Sequence, residues 1–113
     1  MRVVNLRNNM VLAEKARIAD TFFSRVIGLL NRSSLEEGEA LILSPAKCIH
    51  SFFMRFTIDT IFLDKTGKVV GILPSFKPFR ISPIYFKANL VIELPENTLQ
   101  LTKTRLADTI KIE

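Results

Sequence analysis

Tryptophan is absent from this sequence, and cysteine, histidine and tyrosine each occur once. The lone Cys48 excludes an internal disulfide and zinc held by cysteines alone. Cys48, His50 and a carboxylate also fall short of a closed structural zinc site, so neither metal nor other cofactor is expected. Long apolar runs are missing as well. The N-terminal stretch MRVVNLRNNMVLAEK interrupts every apolar run with charge, which leaves no secretory h-region, and nothing approaches the ~20 apolar residues of a membrane span. The expectation is a soluble, cytoplasmic protein, exported only if a leader once preceded it. No two Lys or Arg residues are adjacent, and the net charge of +5 is scattered. With no common nucleic-acid motif present either, nucleic acid is disfavoured as a partner.

The 113 residues are 48% hydrophobic and 24% charged, ordinary globular usage without a low-complexity segment or internal repeat. One domain over residues 1–113 is expected. Arg2–Leu6 and Met10–Ala16 read as a hairpin turning at Arg7-Asn8-Asn9. From Asp20, placed as N-cap, the residues Phe22, Phe23, Val26, Ile27, Leu29 and Leu30 fall at helical spacing and predict one short helix near residues 20–31. Strands follow at Glu39–Leu43, Thr57–Leu63 and Lys68–Leu73, the last two joined by a turn at Asp64–Gly67. Pro74, Pro78 and Pro83 punctuate an irregular connection, whose Phe76, Phe79, Ile81, Ile84, Tyr85 and Phe86 are too apolar to leave solvated. Ala88–Leu94 is another strand, Pro95–Thr98 a turn and Thr109–Ile112 the last strand. This pattern predicts a mainly β fold, α+β at the margin: an antiparallel β-sandwich or partly closed barrel with one helix.

The stretch from Cys48 to Asp64 combines the densest aromatic run with His50, Arg55 and Asp59. On a strand, Ile58, Thr60 and Phe62 share one face and Asp59, Ile61 and Leu63 the other, so Asp59 sits among apolar residues and needs a partner. That partner is either backbone N–H groups or an arginine fork, or else a cation such as Arg55, Arg25 or His50 in a pocket. Cys48 and His50, two residues apart, share a side if extended, but no elbow motif or oxyanion glycine accompanies them, and Cys48 reads as packing. Phe52, Phe53 and Phe56, with Arg55 between, resemble a base-stacking platform; nine phenylalanines without tryptophan are more simply the core.

Arg25-Val26-Ile27-Gly28-Leu29-Leu30, then Ile49 through Asp59, then Ile61-Phe62-Leu63-Asp64, Gly67 and Lys68-Val69-Val70 together resemble the uncharacterised family called DUF192 or UPF0127. The likeness extends over nearly the whole chain, including a leucine-glutamate-leucine pattern near Glu93. It implies a mainly β sandwich with a short helix, found in bacteria and archaea, many members carrying an export signal and some membrane-associated. It implies no established activity. Arg25, His50, Met54, Arg55 and Asp59 match the family's motif positions and form a candidate binding set. Asn97 and Ala107 stand where glycine is usual; asparagine tolerates a left-handed turn, alanine only at a cost, which counts against a site on that last turn.

The expected function is a non-enzymatic binding or accessory domain with a small-molecule or protein partner and a polar pocket around His50, Arg55 and Asp59, with Arg25 as an ion-pair partner. The alternatives are a small hydrolase or isomerase using His50 as acid/base oriented by Asp59, and single-stranded nucleic-acid binding on exposed phenylalanines.

Overall fold

The computed structural model describes residues 1–113 as two sheets with two short helices. Strands β1 (Val3–Asn5), β2 (Met10–Ala13) and β8 (Ile110–Ile112) form a small sheet ordered β2-β1-β8. Strands β3 (Lys15–Ala19), β4 (Glu39–Leu43), β7 (Leu90–Pro95), β5 (Ile58–Leu63) and β6 (Val69–Phe76) form a larger one ordered β3-β4-β7-β5-β6. Neither closes into a barrel, and the mainly β sandwich expected from the pattern is what forms. The expected second strand of the N-terminal hairpin divides at Glu14: Met10–Ala13 pairs with β1, whereas Lys15–Ala19 crosses to the large sheet and pairs parallel to β4. One parallel pair thus interrupts an otherwise antiparallel fold.

The alternation along β5 separates two apolar clusters. Ile61 and Leu63, with Ile42, Ile92 and Leu94, face the small sheet and pack against Val3, Leu12 and Ile110. Ile58 and Phe62, with Leu41, Leu43 and Val91, face away from it and are covered by Leu29, Ile49 and Met54. That cover comes from α1 (Phe22–Ile27) with its following turn, and from a ribbon made of residues 44–57 and 77–89, in which 44–52 lie against 79–89. Gly71 anchors the ribbon: a Cβ there would lie 2.5 Å from the Tyr85 ring, which packs instead on Phe62 with centroids 4.2 Å apart.

The aromatic residues depart from expectation. Phe62 and Phe76 are core and Phe56 is half-buried, but Phe22, Phe23, Phe52, Phe53, Phe79 and Phe86 are exposed, as are Ile81 and Ile84. A second helix, α2 (Thr98–Leu101), extends the turn expected at Pro95–Thr98.

At the last turn, Asp108 accepts hydrogen bonds from Asn5 Nδ2 at 2.8 Å, Arg7 Nε at 2.6 Å and the Arg105 N–H at 2.9 Å. Burial works against its charge, but these donors outweigh it and hold the carboxyl down at about 2. Ala107 is left-handed at φ 72 all the same, so the turn is kept under strain. Ala107→Gly is expected to stabilise the protein by about 1 kcal/mol, the left-handed penalty less the added chain entropy of glycine; a rise of a few degrees in Tm would show it.

Candidate functional site

Helix α1 begins where Thr21, not Asp20, caps it. The Thr21 hydroxyl accepts the Ser24 N–H at 3.0 Å, and Ser24 Oγ reciprocally accepts the Thr21 N–H at 3.1 Å, a capping box that Asp20 stands one residue too early to make. No residue of α1 itself is buried. Leu29 just beyond it is, and it holds the helix above the large sheet without sealing the gap.

A cavity of about 290 Å³ remains between α1 and the start of the ribbon. Val26, Leu29, Leu43, Ala46, Ile49 and Met54 line it with carbon, and Arg25, Lys47, Cys48 and His50 bring it polar atoms. Glu93 of β7 reaches it from the sheet while only 4% exposed. Burial alone disfavours its charged form, and with no hydrogen bond or cation to offset this the carboxyl is pushed up to about 8. Directly opposite Glu93 on β5 stands Thr60, whose side chain must share its face. The Thr60 hydroxyl is fully buried and has no hydrogen-bond partner. Two neighbouring polar groups in an apolar half-core therefore lack protein partners, an arrangement native interiors rarely tolerate.

The cations around the cavity satisfy themselves on carbonyls. Arg25 Nη1 donates to the Asp20 and Ser44 carbonyls at 3.1 and 3.4 Å, and Lys47 Nζ to those of Phe86 and Ala88 at 2.9 and 2.8 Å. His50 is exposed; its Nδ1 accepts the Phe52 N–H at 3.3 Å, and its ring stacks on Phe52 at 5.5 Å. None of the three forms a salt bridge.

Of the residues singled out in sequence, Arg25, His50 and Met54 meet at this cavity, and Arg55 and Asp59 do not line it. Arg55 is exposed and forms no salt bridge. Asp59 is buried on the opposite side of the large sheet, where it accepts the N–H groups of Ser75 and Leu99, both at 2.9 Å. Its partners are thus backbone donors rather than Arg55, Arg25 or His50, and His50 and Asp59 share no hydrogen bond. Cys48 is exposed at the cavity. Glu93 was accessible to the same reasoning as Asp59, being one acid inside Leu90-Val91-Ile92-Glu93-Leu94, a strand too apolar to leave it solvated.

The family model DUF192, described as "Uncharacterized ACR", matches residues 3–112. A UPF0127 protein of Pyrococcus horikoshii is 32% identical over 114 residues, covering 96% of each chain. One of Thermococcus sibiricus is 32% identical over 116 residues, which span 98% of this chain and 74% of that protein. The crystal structure of a protein of unknown function from Novosphingobium aromaticivorans has a TM-score of 0.84 at 17% identity, over 98% of this chain and 82% of the other. That likeness is one of fold.

Proposed function

The chain belongs to the DUF192 (UPF0127) family, whose function is uncharacterised, and from its own site we propose that it is a non-enzymatic binding domain taking a small anionic amphiphile into the cavity beneath α1. The carrying observation is Glu93, a buried carboxyl that reaches an apolar cavity without a protein partner. With its pKa at about 8 the group is mostly neutral around pH 7, so it offers an O–H to a polar atom of a guest. Val26, Leu43 and Met54 suit an apolar body, and Arg25, Lys47 and His50 suit an anionic end at the mouth. The partner is a small molecule, and Arg55 and Asp59 have no part in holding it.

The anionic fluorophore 8-anilinonaphthalene-1-sulfonate is a suitable probe. One molecule is expected to bind saturably to the folded protein, with Ala46→Trp, which fills the cavity, weakening it at least about tenfold, or 1.4 kcal/mol. Arg25→Gln should weaken it severalfold. Undiminished binding by a folded Ala46→Trp protein would remove the cavity from consideration.

A further inference from the structure

The residues left out of the core gather on the ribbon. Segments 44–57 and 77–89 are held side by side: the Ser51 N–H donates to the Arg80 carbonyl at 2.9 Å, the Phe79 N–H to the Ser51 carbonyl at 3.0 Å and the Ser82 N–H to the Ile49 carbonyl at 2.9 Å. Ile49, Ser51 and Ser82 are buried, whereas Phe52, Phe53, Phe79, Ile81, Ile84 and Phe86 are exposed. At one end Phe79 meets Phe53 and Phe52 edge-on, with ring centroids 5.6 and 6.4 Å apart, while Phe53 is 75% exposed and Phe79 53%. Ile81, paired with His50, and then Ile84 and Phe86 continue the exposed series along the same segment. Phe53 and Phe79 are moreover left-handed, at φ 66 and 62, a conformation that bulky side chains adopt only under strain. Both strained positions hold a phenylalanine ring out into solvent.

Charge follows the same segments. They carry Lys47, Arg55, Lys77, Arg80 and Lys87, all exposed, and no acidic residue, while acids and bases balance in the remainder of the chain. The whole net charge of +5 therefore belongs to this ribbon. From this coincidence we infer that the ribbon is a docking surface for an anionic lipid bilayer, Phe53, Phe79 and their neighbours entering the interfacial layer and the five cations facing its headgroups. The inference stands on the surface, which shares of the five cations only Lys47 with the cavity beneath α1.

Three features single out a bilayer. Ile81 and Ile84 have no planar face for a nucleobase, and the Phe52, Phe53 and Phe79 rings occupy one another's edges rather than forming a run of parallel platforms. Two copies of this chain meeting through the ribbon would oppose cation to cation, because a two-fold interface pairs the same patch with itself. An apolar crest set among exposed cations matches the layered chemistry of an anionic membrane surface.

Co-flotation of the full chain with vesicles tests this, using equal parts phosphatidylglycerol and phosphatidylcholine against phosphatidylcholine alone. The anionic vesicles should be bound at least about tenfold more tightly, and less so as salt rises. Lys77→Glu with Arg80→Glu should weaken binding by more than about tenfold, at about fivefold for each charge removed. Phe53→Asn with Phe79→Asn should lose about as much without lowering Tm, since asparagine tolerates the left-handed backbone. Equal binding to both vesicle types, or full binding by folded versions of either pair, would overturn the inference. So would tighter retention on a single-stranded oligonucleotide or soluble polyglutamate, or self-association abolished by the same substitutions.

Discussion

Glu93→Leu is expected to stabilise the unliganded protein, by an amount that grows with pH. The Glu93 carboxyl titrates at about 8 in the fold, against an ordinary 4.5. The folded state therefore holds a proton across that interval that the unfolded chain releases. Stability contributed by the neutral form is fully present below about 4.5 and is lost as pH rises through about 8. With one pKa unit equivalent to about 1.4 kcal/mol, the full loss approaches about 5 kcal/mol, of which about 4 falls between pH 5 and pH 9. Leucine removes the titration and fills a similar volume with carbon, so its advantage around pH 9 should exceed that around pH 5 by about 4 kcal/mol. Urea unfolding of both proteins across this range measures it. Parallel pH profiles would show that Glu93 already has a partner when folded.

Asp108 has the opposite sign. Held down at about 2 by Arg7, Asn5 and the Arg105 N–H despite its burial, it contributes stability that is present above its ordinary 3.8 and lost as pH falls through about 2. Together the two acids place the most stable range between about pH 4 and pH 5, below the neutral range usual for small domains. A ligand that hydrogen-bonds the neutral Glu93 carboxyl would hold the proton and extend this range upward, linking occupancy of the cavity to pH.

What could be read from the sequence was what local chemistry decides. Asp64–Gly67 specifies a hairpin, and β5 and β6 flank it; the apolar spacing after Thr21 specifies a helix, and α1 forms. The division of Met10–Ala19 between two sheets was not legible, because Glu14 carries no turn signal and the parallel partner of β3 lies beyond the helix. Exposure of the ribbon phenylalanines was hidden for a more general reason. Apolar composition says that a residue gains by leaving water, not whether this chain supplies the cover. The likeness of the Ile49–Asp59 motif to its family joined two separate jobs, since Met54 and His50 line the cavity whereas Asp59 faces the other side of the sheet.

That second job gives a large expected loss: Asp59→Ala should destabilise the protein by about 4 kcal/mol, on the order of 15 °C in Tm. The reason lies in the pairing of β5 with β6. Ile58 stands opposite Phe76 and Thr60 opposite Leu73, so β6 bulges at Pro74 and Ser75 across from Asp59. Pro74 has no N–H to lose, but Ser75, left-handed at φ 51, turns its N–H away from the ladder and onto Asp59 Oδ1. The other oxygen takes the Leu99 N–H at the start of α2, whose N-cap Asn97 makes no side-chain bond. One carboxyl group thereby satisfies two donors from segments distant in sequence, and alanine leaves both without an acceptor, at about 1–3 kcal/mol each. Asp59→Asn should lose roughly half as much, because one oxygen remains while its amide N–H₂ opposes a backbone donor. Binding of the fluorescent probe at a temperature where Asp59→Asn stays folded should be unchanged. Lost binding with full stability would instead place Asp59 at the cavity, as the sequence motif first suggested.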